Sequence, residues 1–388
     1  MPRHPHTEVL HQGEGACDSA MPLNRPIYAT TTFVFDSAAD VEAFGRGDSD
    51  RYLYSRYANP TVESAEVKLA VLEAAEAAIV TASGMAATTT ALFGLLSPGD
   101  ELVCSSSVYG GTLKLITRWL DRFGVRVRFA TLEELGDPGP LLNAKTKVLW
   151  FESPANPTLR CADIRQVASA CRAHGVISVL DNTFATPFNQ QPLALGVDLV
   201  MHSATKFLNG HSDVTAGALA GSHAVIDRLR DARTLFGGVL DPAAAYALAR
   251  GMKTLAVRML LHNSNALRIA EWLSGERRVA RVFYPGLPSH PDYAIARGQM
   301  TAFGGMICFE MAGGYDAACR LFDRLALVQR ATSLGGVESL CSLPVLTSHY
   351  GFTDEQLQEA GVTRGMVRLS VGLEQADDLI ADLDQAMA

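Results

Sequence analysis

Six short apolar runs recur between residues 78 and 201, separated by stretches long enough for helices or broad turns. They are Ala78-Ile79-Val80-Thr81, Glu101-Leu102-Val103-Cys104, Val125-Arg126-Val127-Arg128-Phe129, Lys147-Val148-Leu149-Trp150-Phe151, Ile177-Ser178-Val179-Leu180 and Val197-Asp198-Leu199-Val200-Met201. Apolar runs this short read as strands, and runs without polar alternation as strands covered on both faces. The segment between the fourth and fifth begins at Asp163, whose carboxylate suits the first free amides of a helix, and stops at His174-Gly175. Strands alternating with helices predict an α/β chain, with a mostly parallel central sheet and helices on both faces. Ligands of such sheets lie beyond the carboxyl ends of the strands. The residues just after each run are therefore where chemistry belongs.

Those positions carry unusual residues. Ser83-Gly84-Met85 opens an Ala/Thr-rich helix that ends near Ser97-Pro98-Gly99. Free amides and the helix dipole there suit a phosphate, and the same residues suit an ordinary tight turn. Tyr109-Gly110-Gly111-Thr112 places an aromatic ring on a flexible loop. In Glu152-Ser153-Pro154-Ala155-Asn156-Pro157, Asn156 is either a turn residue before proline or an amide for a ring substituent. Asp181-Asn182-Thr183 follows the fifth run. A lone buried carboxylate is costly, so Asp181 must be paired, accessible, or used as a helix cap. The sixth run leads into His202-Ser203-Ala204-Thr205-Lys206 and then Asn209-Gly210-His211. A partly buried lysine beside two small hydroxyls is set up for covalent chemistry.

Taken jointly, these groups meet the needs of pyridoxal 5′-phosphate. Its aldehyde requires a lysine, its pyridine nitrogen a carboxylate, its ring a flat partner, and its phosphate amides and hydroxyls. Lys206, Asp181, Tyr109, and Gly84 and Met85 with Ser203 and Thr205 supply one group for each need.

The ordered motifs extend along almost the whole chain. They are Tyr54-Ser55-Arg56 with Asn59-Pro60-Thr61, Ser83-Gly84-Met85, Tyr109-Gly110-Gly111, Asn156-Pro157-Thr158, Asp181-Asn182-Thr183 and Ser203-Ala204-Thr205-Lys206. Tyr284-Pro285-Gly286-Leu287, Ser333-Leu334-Gly335-Gly336 and Val367-Arg368-Leu369-Ser370-Val371-Gly372 complete the set. In these the chain resembles the Cys/Met-metabolism family of pyridoxal phosphate enzymes. The family includes cystathionine γ-synthases and γ-lyases, methionine γ-lyases and homoserine-ester sulfhydrylases.

The resemblance implies fold type I, the aspartate aminotransferase-like architecture, with a smaller α+β C-terminal domain. It implies an N-terminal arm over 1–60 that contacts a neighbouring subunit, a cofactor domain over 61–240, and a C-terminal domain over 241–388. That last domain would open with a helix from Asp241-Pro242 to about Leu261, and would contain strands Met306 to Glu310 and Met366 to Val371. Lys206 would hold the cofactor and shuttle protons, Asp181 would face the pyridine nitrogen, and Tyr109 would stack on the ring and act as a base. Gly84, Met85, Ser203 and Thr205 would bind the phosphate, with Tyr54 and Arg56 reaching it from the adjacent subunit of a homotetramer, a dimer of dimers. Arg368 would clamp the substrate α-carboxylate, helped by Ser333 and Asn156, and Glu338 would border the distal pocket.

The implied chemistry is γ-elimination or γ-replacement on a small-molecule L-amino acid. Proton loss from Cα and then Cβ expels a group on Cγ. Methionine γ-lyases of the family carry cysteine where this chain has Gly111, and a Lys-Asp pair where it has Arg233-Thr234. These departures favour a cystathionine γ-lyase or γ-synthase type. The alternatives are an O-acylhomoserine sulfhydrylase or a methionine γ-lyase, and more remotely an aminotransferase. The stretch Thr347-Ser348-His349-Tyr350-Gly351-Phe352 is bulkier than the family's usual run and suggests an altered pocket wall.

Bulk properties exclude other classes. With 388 residues the chain is long enough for two domains. A net charge of −8 and the lack of any basic run argue against nucleic acid. No apolar stretch approaches the ~18 residues of a membrane helix. The N-terminus lacks a signal-like apolar core, which predicts a soluble, cytoplasmic protein. Seven scattered cysteines without a Cys-x-x-Cys pair suggest neither disulfides nor zinc.

Overall fold

In the computed structural model, residues 4–14 and 21–388 are described; Cys17 and parts of the expected N-terminal arm lie outside them. Seven strands form the first sheet: β1 (Ala77–Thr81), β2 (Glu101–Ser105), β3 (Arg126–Ala130), β4 (Thr146–Glu152), β5 (Ile177–Asp181), β6 (Leu199–His202) and β7 (Gly217–Gly221). Their order is β1-β7-β6-β5-β4-β2-β3. The run from β3 through β2, β4 and β5 to β6 is parallel, and β7 is antiparallel to both β6 and β1. The sheet is thus mostly parallel, as the alternating pattern implies.

Burial on both faces explains the apolar runs. Val148, Trp150, Val179 and Leu199 pack into one core, whereas Leu149, Phe151 and Leu180 pack into another on the opposite face. Each large side chain removed from water contributes about 1.5–3 kcal/mol. The helix Ile164–Ala173 is capped by Asp163, whose side chain accepts the Gln166 amide, and it ends at His174. β7, with sequence Gly-Ala-Leu-Ala-Gly, escaped the sequence reading because it has no β-branched residue.

A second sheet comprises β8 (Val279–Phe283), β9 (Met306–Met311), β10 (Gln329–Arg330), β11 (Leu340–Ser342) and β12 (Met366–Ser370), in the order β10-β11-β12-β9-β8. The helix expected from Asp241 to about Leu261 is instead two helices, Pro242–Lys253 and Leu255–Gly275. They part at Thr254, whose hydroxyl donates to the Gly251 carbonyl. Arg258 reinforces the break by donating to the carbonyls of Gly251, Phe207 and Leu208. The second helix thereby reaches the segment just after Lys206.

Buried charges tie the periphery to this core. Lys68, fully buried, donates to the carbonyls of Val9 (3.2 Å) and Gln12 (2.6 Å) and pairs with Glu14 at 3.0 Å, so it pins the first turn of chain to helix Pro60–Glu73. Glu66 receives Arg230 at 2.7 Å and also Arg233. No helix of the described residues is long and apolar enough to cross a membrane.

Gly217 is where the fold meets the site. A Cβ there would overlap the Ser83 carbonyl oxygen and crowd the Thr81 hydroxyl at 2.6 Å. Because the obstacle is backbone, Gly217→Ala should displace the start of helix Gly84–Leu95. Overpacking of this kind costs about 1–3 kcal/mol. Denaturant unfolding should show a lowered midpoint with an unchanged slope, together with weaker phosphate binding.

Candidate active site

Strands β4, β5 and β6 end side by side, and the residues at their ends line one cavity of about 560 Å³. Gly84, Met85, Tyr109, Asn156, Asp181, Ser203, Thr205, Lys206, Ser333 and Arg368 all border it. Tyr54, Arg56 and Glu338 do not. Arg56 donates instead to the Thr234 carbonyl of its own chain (3.0 Å) and lies over the Tyr57 ring, while exposed Glu338 faces the Ser212 hydroxyl.

At one end of the cavity, Ser83 caps helix Gly84–Leu95 and accepts the Ala86 amide. The first amides of a helix have no partner within it, so those of Gly84 and Met85 remain for a ligand. A Cβ on Gly84 would stand 3.0 Å from the Ser203 side chain, so only glycine lets the helix end and the loop after β6 approach this closely. The Thr205 hydroxyl is engaged with Ala216, donating to its carbonyl (3.1 Å) and accepting its amide (2.9 Å). Among the described residues, Lys206 and Arg368 are the cations that line the cavity, and Lys206 Nζ and Arg368 are both engaged with Ser333.

The carboxylate wall follows from strand register. Asp181 accepts the amide (3.0 Å) and the hydroxyl of Thr183. The same hydroxyl accepts the Ser203 amide at 2.8 Å, locking the ends of β5 and β6 together. Burial raises the Asp181 carboxyl above its ordinary range, while the Thr183 donors and His202 pull it back. Glu152, paired with Asp181 across β4 and β5, is also buried and lines the cavity. Burial and the neighbouring Asp181 hold the Glu152 carboxyl well above the usual carboxylate range. The sequence reading gave Glu152 no role, although its place directly after an apolar run was the available signal.

Opposite stand two cations joined through one residue. Lys206 Nζ lies 2.6 Å from the Ser333 hydroxyl. Arg368, on β12, donates to the Ser333 carbonyl and to Asn156 Oδ1, both at 3.1 Å. Ser333 has φ +81, a left-handed conformation that costs a non-glycine residue roughly 1–2 kcal/mol. Burial, and then the Arg368 charge, lower the Lys206 amine from 10.5 to about 8.

The donor set fits pyridoxal phosphate. It has a nucleophilic amine, a donor-held carboxylate, a half-exposed aromatic ring on a loop, and unpartnered amides at a helix start. Residues 6–388 match the Cys/Met metabolism PLP-dependent enzyme family. The chain belongs to that family, and it is a pyridoxal phosphate-dependent enzyme of fold type I.

Among its relatives, the L-methionine gamma-lyase of Pseudomonas putida is 44% identical over 383 residues, covering 98% of this chain and 96% of that protein. A cystathionine beta-lyase of Lactococcus lactis subsp. cremoris is 39% identical over 382 residues, covering 98% of each. The crystal structure of metB from Corynebacterium glutamicum superimposes with a TM-score of 0.91 at 38% identity, covering 99% of this chain and 98% of that one. The first two of these relatives are lyases. They side with the methionine γ-lyase alternative more than with the cystathionine γ-lyase or γ-synthase reading.

The lowered lysine has a measurable consequence. Only a neutral amine attacks an aldehyde, so uptake of pyridoxal phosphate by the cofactor-free enzyme should quicken with pH and level off above about 8. A lysine at its ordinary value would keep accelerating toward 10.5. Stopped-flow absorbance across that range distinguishes the two.

Proposed function

We propose that the chain is a carbon–sulfur lyase that eliminates the γ-substituent of L-methionine or a closely similar γ-thioether amino acid. The observation that carries this is the charge inventory of the cavity. Its lining holds only Glu152, Asp181, Lys206 and Arg368 as charged side chains. Once Lys206 and Asp181 serve the cofactor and Arg368 the α-carboxylate, no second cation remains among the described residues of the lining for the distal carboxylate of cystathionine. Thr332, Thr347 and Ser348 provide an uncharged wall instead. An unmatched carboxylate brought into such a site keeps its desolvation cost, which favours a small thioether. The methionine γ-lyase relatives support the same reading.

Pyridoxal phosphate, when bound, supplies the electron sink for proton loss next to an amino group. The chain's residues do the rest. Arg368 orients the substrate through its carboxylate, and its planar fork suits two parallel hydrogen bonds. Asn156 and Ser333 hold that fork in place. The Lys206 amine, fixed by Ser333, would take the proton at Cα and then serve Cβ. Tyr109, on the cavity lining, would lie against the cofactor's ring and receive the proton of the substrate amine. Tyr54 and Arg56 complete the phosphate end from an adjacent subunit of a homotetramer, consistent with a cavity that lacks its own cation there.

Three assays test this reading. Supplied separately with methionine, cystathionine and O-acylhomoserine plus thiol, the enzyme should release thiol and 2-oxo acid from methionine. Its kcat/KM there should exceed that for cystathionine by at least about tenfold; preferential cystathionine turnover would overturn the assignment. Arg368→Lys should lower kcat/KM by about 10–100-fold, the worth of one lost charged hydrogen bond. Co-expressed Lys206→Ala and Arg56→Ala chains should regain activity that neither has alone, because each hybrid pair contains one intact shared site. Activity no greater than the two variants' sum would place Arg56 outside the site.

A further inference from the structure

Glu152 remains after every role above is assigned, although it borders the cavity and is buried. Its strand position faces that of Asp181 directly across the parallel β4–β5 pair, so two carboxyl groups stand on one wall. Their surroundings differ. Asp181 receives two donors from Thr183, an amide and a hydroxyl. Glu152 receives one, the Tyr109 amide at 2.6 Å on Oε1, and no other donor reaches it among the described residues. Two like charges this close, one buried and one half-buried, do not both persist, and the proton settles on the group with fewer donors.

We propose that Glu152 is a positioning residue that carries a proton, leaving the wall's single negative charge on Asp181, while its carbonyl oxygen moors Tyr109. This rests on the reading of the cavity as the cofactor site. Tyr109 begins helix Gly110–Trp119 without a side-chain cap, so the bond from its amide to Glu152 is what ties that end of the loop to β4. The other groups around the carboxyl favour the same state. Cys104 of β2 is a buried thiol pushed up in part by Glu152, so it offers no positive charge. His202 of β6 lowers Asp181, and Lys206 and Arg368 lie across the cavity bound to Ser333. The raised Glu152 carboxyl agrees with this placement of the proton.

The sign of the pH effect follows. A carboxyl whose folded value lies above its unfolded one binds a proton in the native state that the unfolded chain has lost. Stability then declines as pH rises from the ordinary glutamate value, near ~4.3, toward the folded value. Glu152→Gln mimics the protonated acid and removes that decline.

The test uses the full-length holoenzyme as wild type, Glu152→Gln and Glu152→Leu. Glu152→Gln should keep the cofactor's visible absorbance and bind it within about threefold of wild type, because amide and protonated acid offer matching hydrogen bonds. Its denaturation midpoint should match wild type near pH ~4 and exceed it increasingly toward pH ~8. Glu152→Leu should share that pH-independence but lose the Tyr109 mooring, raising KM and altering ring-stacking absorbance. Infrared spectra of wild type should show a protonated-acid carbonyl band that both variants lack. A wild type without that band, or a midpoint difference that is flat with pH, would overturn the proposal. Failure of the wild type to take up pyridoxal phosphate would instead overturn the site reading, since the infrared band reports the proton independently of the cofactor.

Discussion

Two carboxyl groups, Glu152 and Asp181, and two basic side chains, Lys206 and Arg368, line one cavity, and none of them forms an ion pair with another among the described residues. At 4 Å and an effective dielectric near 20, two opposite charges attract by roughly 4 kcal/mol, so collapse into pairs is the default outcome. The fold prevents it by giving each group a neutral partner. Thr183 holds Asp181, the Tyr109 amide holds Glu152, and Ser333 and Asn156 hold Lys206 and Arg368. Groups kept apart in this way are left for a ligand that brings its own phosphate, pyridine nitrogen and carboxylate. The rest of the architecture follows: parallel strands ending in register on one side, and a second sheet carrying Arg368 on the other.

Ser333 is the joint between those two halves. Its hydroxyl meets Lys206, which follows the first sheet, and its carbonyl meets Arg368 in the second. A left-handed backbone is what turns both groups toward their partners at once. Strain of this size persists only where surrounding contacts fix it. The Gly335 amide bonded to Ser370 (2.9 Å) is one such contact, adjoining the strand of Arg368 itself. The strained residue thus links Arg368 in the second sheet to Lys206 beside the first.

Much of this was legible in the chain because buried parallel strands announce themselves. Apolar runs, the Asp163 cap and the residues after each run located the site wall before any coordinates. The parts that escaped share a physical cause. β7 is made of Gly, Ala and one Leu, chosen for close approach to Ser83 rather than for strand propensity. The helix after Asp241 breaks at Thr254 because Arg258 reaches across to the loop after Lys206, a tertiary contact with no local signature. Glu152 looked like an ordinary polar residue ending a strand; only register with Asp181 gives it meaning.

Substrate markers fared worst, for a reason the geometry supplies. Gly111 does not border the cavity, and the Tyr109 ring and the Met85 sulfur, 3.0 Å from the position a Cβ would take, fill the space beside it. Arg233 is buried against Glu66 and the Val80 carbonyl, and Thr234 offers its carbonyl to Arg56. Neither position is among the residues that line the cavity, and both are engaged in packing or hydrogen bonds around it. The proposed preference for a small thioether rests instead on the groups that line the cavity among the described residues. A site built to receive a second charged head must pay for that charge with a partner, and the uncharged wall of Thr332, Thr347 and Ser348 contains none. Under the proposed lyase reading, discrimination among γ-substituted amino acids turns on the charge of the leaving group more than on its size.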